Sequence, residues 1–316
     1  MPKGIERLVF LRTLSKLVVG GDGDNSQVCS LDCLKKLDYL RGSLVIKGMG
    51  NVIDGAEAKK ANLMSKKYLL DLQLYFSYDD DDDDDDISEG EASSSQCRLQ
   101  IDEDEASSTE VCRKHESVVE ALHAPPNLEK LVLRGYRGIT MSFEWMGSLT
   151  QLRELTLRDC INCEHLPPLG KLPLLERLQI IGMRSLKSVG NEFLGIKNND
   201  TSSSSSSLIF FPKLESLVFE NLENWEDWEY KITEKIEIMP CLYDCDIAEC
   251  PELKALPNHF LQVERLNIDY CPVLKQWANI YHHLPITSDR ETTRRKIQAH
   301  AQTIRAASLF AEAGRN

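Results

Sequence analysis

The chain lacks several features that whole classes of function require. No run of 18 apolar residues could span a bilayer, and no basic-plus-apolar leader opens the sequence. Phosphate-loop chemistry is missing as well: Gly170-Lys171 is followed by Leu172 and has no earlier glycine at the right distance. The turn Gly20-Gly21-Asp22-Gly23 runs into Asp24-Asn25-Ser26, so it lacks the third, helix-opening glycine of a dinucleotide site. Histidine is scarce, with seven residues. His165 and His259 sit beside leucine-proline turns and His282-His283 lie near the end, none with a nucleophile or carboxylate at a spacing that nominates catalysis. Basic charge is short too: 37 Lys and Arg face 50 Asp and Glu, and a net charge of −13 argues against a general nucleic-acid binder. A single glycosylation sequon, Asn199-Asp200-Thr201, is too little for an extracellular receptor. These absences predict an intracellular protein, cytoplasmic with the nucleus as a further compartment, that is not an enzyme and carries no cofactor.

What is present is repetition. LEKLVL, LRELTL and LERLQI begin at Leu128, Leu152 and Leu175, 24 and 23 residues apart, each with Leu or Ile at its first, fourth and sixth positions. Alternating Leu-x-Leu is the period-2 pattern of a strand buried on one face, and the earlier leucine anchors the chain as it enters that strand. Further copies follow at Leu214, Leu217, Phe219, at Leu242, Cys245, Ile247, and at Val263, Leu266, Ile268. Upstream, Leu69, Leu72, Leu74 match well, Leu40, Leu44, Ile46 more loosely, and Leu14–Val19 gives a possible ninth rung. A period of 20 to 29 residues with this phrase is the leucine-rich repeat. The expected fold is an α/β solenoid over residues 1–277, with a curved parallel sheet on its concave side and short helices and loops on its convex side. Leu31–Leu40 and Gly55–Tyr68 are expected to supply two of those helices.

Ten cysteines suggest a disulfide framework until their places are read. Cys160, Cys250 and Cys271 each fall three residues after the last aliphatic of a phrase, where the repeat turns an Asn or Cys inward. Buried thiols are therefore expected. Cys160-x-x-Cys163 has zinc-ligand spacing, but no second close pair supports it and no metal is expected. Asp79–Asp86 cannot pack against itself, and the polar sequence around it predicts a disordered acidic insertion over about 78–115. A serine-rich insertion is expected at about 197–207, and residues 278–316 read as a tail, helical or disordered. The aromatics from Trp225 to Tyr230 read first as packing residues and second as a partner contact.

Four segments are more specific than a generic repeat: His165-Leu-Pro-Pro-Leu-Gly-Lys-Leu-Pro173, Val189-Gly-Asn-Glu-Phe-Leu-Gly195, Phe211-Pro-Lys-Leu-Glu-Ser-Leu-Val-Phe-Glu-Asn221 and Leu14-Ser-Lys-Leu-Val-Val-Gly20. With them the chain, from about Met1 to Trp277, resembles the repeat region of plant intracellular nucleotide-binding leucine-rich-repeat disease-resistance proteins of the coiled-coil class. The resemblance implies a module that recognises a pathogen effector or a guarded host protein and restrains a nucleotide-binding switch domain. That domain has no counterpart in this sequence. A substrate adaptor of a ubiquitin ligase, or another intracellular scaffold, is the competing reading; it would place a short ligase-binding motif before the repeats, and none is visible. In either case the concave face is the expected binding surface, because residues flanking the inward aliphatics point to solvent and align in columns from rung to rung. One column reads Arg134, Arg158, Ile181, Glu220, Ala248, Asp269 and its neighbour Val132, Thr156, Gln179, Val218, Asp246, Asn267. Arg134 and Arg158 are expected to meet an acidic patch, and Glu220, Asp246 and Asp269 a basic one.

Overall fold

The computed structural model describes residues 4–20, 29–77, 105–141, 143–196, 208–230, 236–257, 260 and 263–274. The acidic run, the serine run, His259 and the tail lie outside these residues. Each repeat phrase forms one strand. In chain order the strands are β1 (Lys16–Val18), β2 (Arg41–Lys47), β3 (Tyr68–Tyr75), β4 (Lys130–Arg134), β5 (Glu154–Arg158), β6 (Arg177–Ile181), β7 (Ser188–Val189), β8 (Leu208–Phe210), β9 (Ser216–Glu220), β10 (Asp227–Trp228), β11 (Ile236–Ile238), β12 (Asp244–Ala248) and β13 (Arg265–Asp269). Nine of them make the repeat sheet, in the order β1-β2-β3-β4-β5-β6-β9-β12-β13. The four short strands pair in parallel by twos, β10 with β7 and β11 with β8. The fold is an α/β leucine-rich-repeat solenoid.

Register follows from the inward aliphatics. Leu72 and Leu74 stand opposite Leu131 and Leu133, and Leu178 and Ile180 opposite Leu217 and Phe219. A slip of one residue would turn every one of these side chains to solvent. One irregularity occurs between Gly42 and Ser43, where the pairing passes over Leu70 and leaves it 40% exposed. Strand exits are equally regular. The residue after β2, β4, β5, β6, β9, β12 and β13 has a left-handed backbone: Gly48, Gly135, Asp159, Gly182, Asn221, Glu249 and Tyr270. The N–H of Gly135, Gly182, Asn221 and Glu249 donates to the last strand residue of the next rung, as in Gly182 to Glu220 O at 2.9 Å and Glu249 to Asp269 O at 3.0 Å. The residue that follows then points inward. Cys160, Cys250 and Cys271 occupy that place fully buried, and Cys271 Sγ donates to Ile247 O at 3.6 Å and Asp269 O at 3.1 Å.

The chain divides into two compact units within β5. In the first, the helices differ from expectation. Leu31, Leu34, Leu37 and Leu40 recur every third residue, closer to a 3-10 turn than to 3.6, and only Leu31–Leu34 is helical. Helix α1 spans Gly55–Lys60 and stops before Asn62, whose φ of 48° ends it well short of Tyr68. Helix α2, Glu105–Leu122, was not expected at all: residues 105–115 belong to it and not to a disordered insertion. Its apolar stripe explains why. Cys112, His115, Val118, Val119 and Leu122 are buried at i, i+3, i+7 spacing, although the polar residues between them dilute the pattern in sequence. A Cβ on Gly55 would lie 2.7 Å from Ser117 O, so the contact between α1 and α2 requires glycine there. The His115 ring lies 4.3 Å from that of Phe76, and its Nδ1 accepts the Arg137 N–H at 3.1 Å.

In the second unit, three of the four distinctive segments meet. Leu169 and Gly170 N–H both donate to Phe193 O, at 3.0 and 3.1 Å, and Phe211 N–H donates to Gly170 O at 2.7 Å. A Cβ on Gly170 would sit 2.7 Å from Leu194 O. The Trp225–Tyr230 aromatics pack inward. Trp225 is fully buried 4.7 Å from Phe219, Trp228 lies 4.3 Å from Phe260, and Trp228 Nε1 donates to Tyr230 Oη at 2.8 Å.

Leu155 and Leu178 are 1% and 0% exposed. Replacing either with Ala should lower the unfolding free energy by about 2–5 kcal/mol in urea melts; a loss below about 1 kcal/mol would contradict the packing. Burial, with Lys114 and Arg137 nearby, lowers the His115 pKa to about 4 from 6.5. The unfolded chain therefore binds an extra proton between those values, so this group's contribution to stability falls as pH drops from about 6.5 to about 4. His115→Gln, which keeps an acceptor for the Arg137 N–H, should flatten pH-dependent unfolding in that window.

Candidate protein-recognition face

Each five-residue rung strand turns two side chains in and three out. In the second unit β9 and β12 show the alternation directly, with Leu217, Phe219, Cys245 and Ile247 buried while Ser216, Val218, Glu220, Asp244, Asp246 and Ala248 face outward and are half-buried. The outward positions form three columns, and the structure gives them different tasks.

The first column is a ladder of charge pairs, which the sequence reading did not weigh. Arg177 is hydrogen-bonded to Glu154, Arg265 Nε lies 3.2 Å from Asp244 Oδ1, and Ser43 Oγ donates to Asp71 Oδ2 at 2.9 Å. One residue earlier Arg153 pairs with Glu176, and the Arg265 guanidinium also lies 5.3 Å from the Tyr243 ring. The signal was available: the third position of successive phrases reads Asp71, Lys130, Glu154, Arg177, alternating in sign. Opposite charges on neighbouring strands stabilise a sheet locally, so this column serves the stack.

The third column holds most of the residues expected to bind a partner. In the first unit Arg134 and Arg158 both turn toward Asp159, with Arg134 Nε at 3.2 Å and Arg158 Nε at 3.7 Å from the same Oδ2. These guanidiniums are partly neutralised by the residue at the left-handed exit of β5. In the second unit Glu220 and Asp269 flank Ala248, and Asp246 lies between Val218 and Asn267 in the middle column. No two of these carboxylates stand directly opposite each other, so the face accumulates negative charge with little mutual repulsion. Asp269 Oδ1 also accepts the Tyr270 N–H at 3.0 Å.

Nothing in this arrangement resembles a reaction centre. His165 is exposed, and among the described residues no group of three His, Cys, Asp or Glu side chains could hold a metal. Burial pushes the thiols of Cys160, Cys163 and Cys245 well above their ordinary range, which keeps them protonated and unreactive. No helix among the described residues is long and apolar enough to cross a membrane.

A family model for R13L1/DRL21 leucine-rich repeats matches residues 31–183. The repeats over that stretch are thus similar to those of that family. RPP13-like protein 1 of Arabidopsis thaliana, named for disease resistance, is 31% identical over 259 residues, 79% of this chain and 22% of its own length. A second Arabidopsis thaliana protein named for disease resistance is 30% identical over 268 residues, covering 83% of this chain and 16% of its length. Disease resistance protein RGA2 of Solanum bulbocastanum is 30% identical over 256 residues, 79% of this chain and 22% of its length. The chain thus spans between 16% and 22% of the length of these relatives. It is a leucine-rich-repeat module similar to part of proteins that are named for disease resistance.

Asp159→Asn should leave the fold of the R13L1/DRL21-type repeats intact, because Asn tolerates the left-handed backbone that Asp159 adopts, φ 55°. A double-mutant cycle between Asp159→Asn and Arg134→Ala should return a coupling below about 1 kcal/mol, as for partly exposed pairs.

Proposed function

We propose that these repeats are the protein-recognition module of a plant immune receptor, sensing a pathogen effector or a modified host protein and restraining a nucleotide-binding switch domain outside this chain. The observation that carries the proposal is the outward face of the repeat sheet, where Arg134 and Arg158 in one unit and Glu220, Asp246 and Asp269 in the other are ionic side chains beyond those of the charge ladder. Charges of this sort add specificity and association rate more than bulk affinity. In this reading the arginines meet an acidic surface, on the partner or on the switch domain, and the carboxylates meet a basic one. Asp159 then competes with that acidic surface for both guanidiniums. The relatives' names favour an immune receptor over a ubiquitin-ligase adaptor, and such a receptor acts inside the cell, in the cytoplasm and also the nucleus.

Arg134→Glu with Arg158→Glu, placed in the full-length receptor, should change autoactivity or recognition while the isolated repeats keep their unfolding midpoint to within what surface substitutions allow, about 0.5 kcal/mol. Unaltered signalling by that receptor would refute the assignment of the two arginines.

A further inference from the structure

Where β9, β12 and β13 leave the sheet, Asn221, Glu249 and Tyr270 hold equivalent places on three successive rungs, with φ of 54°, 54° and 47°. Their backbones are tied to one another: Asn221 N–H donates to Ala248 O at 3.0 Å and Glu249 N–H to Asp269 O at 3.0 Å. A depression of about 310 Å³ opens at this edge, lined by Asn221, Glu223, Glu249, Pro251 and Tyr270. Two features separate it from ordinary surface. Tyr270 is 71% exposed, whereas Trp225, Trp228 and Tyr230 of the same unit are buried. The remaining walls carry two carboxylates and an amide, and among the described residues no Lys or Arg lines the depression. Arg184 Nε engages Glu223 Oε1 at 3.2 Å.

Size and charge select the occupant. The depression lies at the lower limit of small-molecule pockets, of roughly 300–1,000 Å³, and it is open, so it suits one side chain better than an enclosed ligand. An exposed phenol ring beside carboxylates attracts a cation, and a planar guanidinium can lie on the ring while its N–H groups reach two acceptors. We propose that this depression receives an arginine side chain from a basic segment of a partner protein, the guanidinium stacking on Tyr270 and donating to Glu249 and Glu223. The methylenes of that arginine lie along Pro251. The proposal rests on the protein-binding reading of the repeats, and it names the partner chemistry for their acidic half.

The test is fluorescence anisotropy with the full chain at low salt, using a labelled Gly-Arg-Gly-Ser-Arg-Gly peptide and the same peptide with citrulline for arginine. Citrulline keeps the shape and removes the charge. The arginine peptide should bind and the citrulline peptide should not. Tyr270→Asn, which suits the left-handed backbone, and Glu249→Gln should each weaken binding about three- to fivefold, while Tyr270→Phe should retain it. No binding of the arginine peptide, equal binding of the citrulline peptide, or indifference to both Tyr270→Asn and Glu249→Gln overturns the proposal. If the arginine reversals have no effect on receptor signalling but the peptide still binds through Tyr270 and Glu249, the depression stands and the wider assignment falls. Peptide binding insensitive to the depression, with signalling altered by the reversals, has the opposite meaning.

Discussion

An inward leucine in this fold is buried only because another rung lies beside it. Five strand residues with two aliphatics on one face cannot shield them, and each buried aliphatic contributes about 1.5–3 kcal/mol only once covered. The second unit displays the consequence. Leu217 and Phe219 on β9 are fully buried and Cys245 and Ile247 on β12 nearly so, yet Leu266 and Ile268 on β13, with β12 as their sheet neighbour, stay half-exposed. The phrase is the same in all three strands, but among the described residues β9 and β12 have a strand on each side and β13 on one; Leu17 on β1, also flanked on one side, is fully buried, so cover can also come from outside the sheet. Stability is therefore a property of adjacent pairs of rungs, as expected for a one-dimensional array.

Stacking also dictates how the chain must leave each strand. A left-handed residue at the exit sends the following side chain into the core, and at Gly135, Gly182, Asn221 and Glu249 it also turns its N–H onto the next rung. Glycine does this without strain at Gly48, Gly135 and Gly182, while Asp159, Asn221, Glu249 and Tyr270 adopt the same backbone with side chains attached. The thiol at the next position suits a slot against carbonyl oxygens: Cys250 Sγ donates to Ala248 O at 3.2 Å and Cys160 Sγ to Arg158 O at 3.5 Å. A buried weak donor satisfies those carbonyls at less desolvation cost than a hydroxyl or amide.

The repeat phrase made the sheet legible because period and register are the same information: once Leu128, Leu152 and Leu175 are aligned, every strand and its inward residues follow. Helices were less legible, since their turns are short and set by what they pack against. Leu31–Leu40 looked helical by content, but its exact threefold spacing belongs to a tighter turn. The sequence hid α2 behind acidic and serine-rich neighbours, with its buried stripe spread over Cys112, His115, Val118 and Leu122. The candidate face was half legible. Columns could be written down from the phrase, but pairing could not, because Asp159 lies outside the strand pattern and reaches both Arg134 and Arg158 only through the geometry of the exit.

Charge on the sheet thus divides by position. At the first outward place of several strands, ions of opposite sign face each other across rungs, as Glu154 does Arg177 and Asp244 does Arg265. Such partly exposed pairs contribute little each, on the order of 0–1 kcal/mol, but they penalise a slipped register by bringing like charges together. At the last outward place Arg134 and Arg158 of the first unit share Asp159, while in the second unit an acid, an alanine and another acid follow one another, so there no two like charges stand directly opposite. Residues that stabilise the stack are satisfied by the stack.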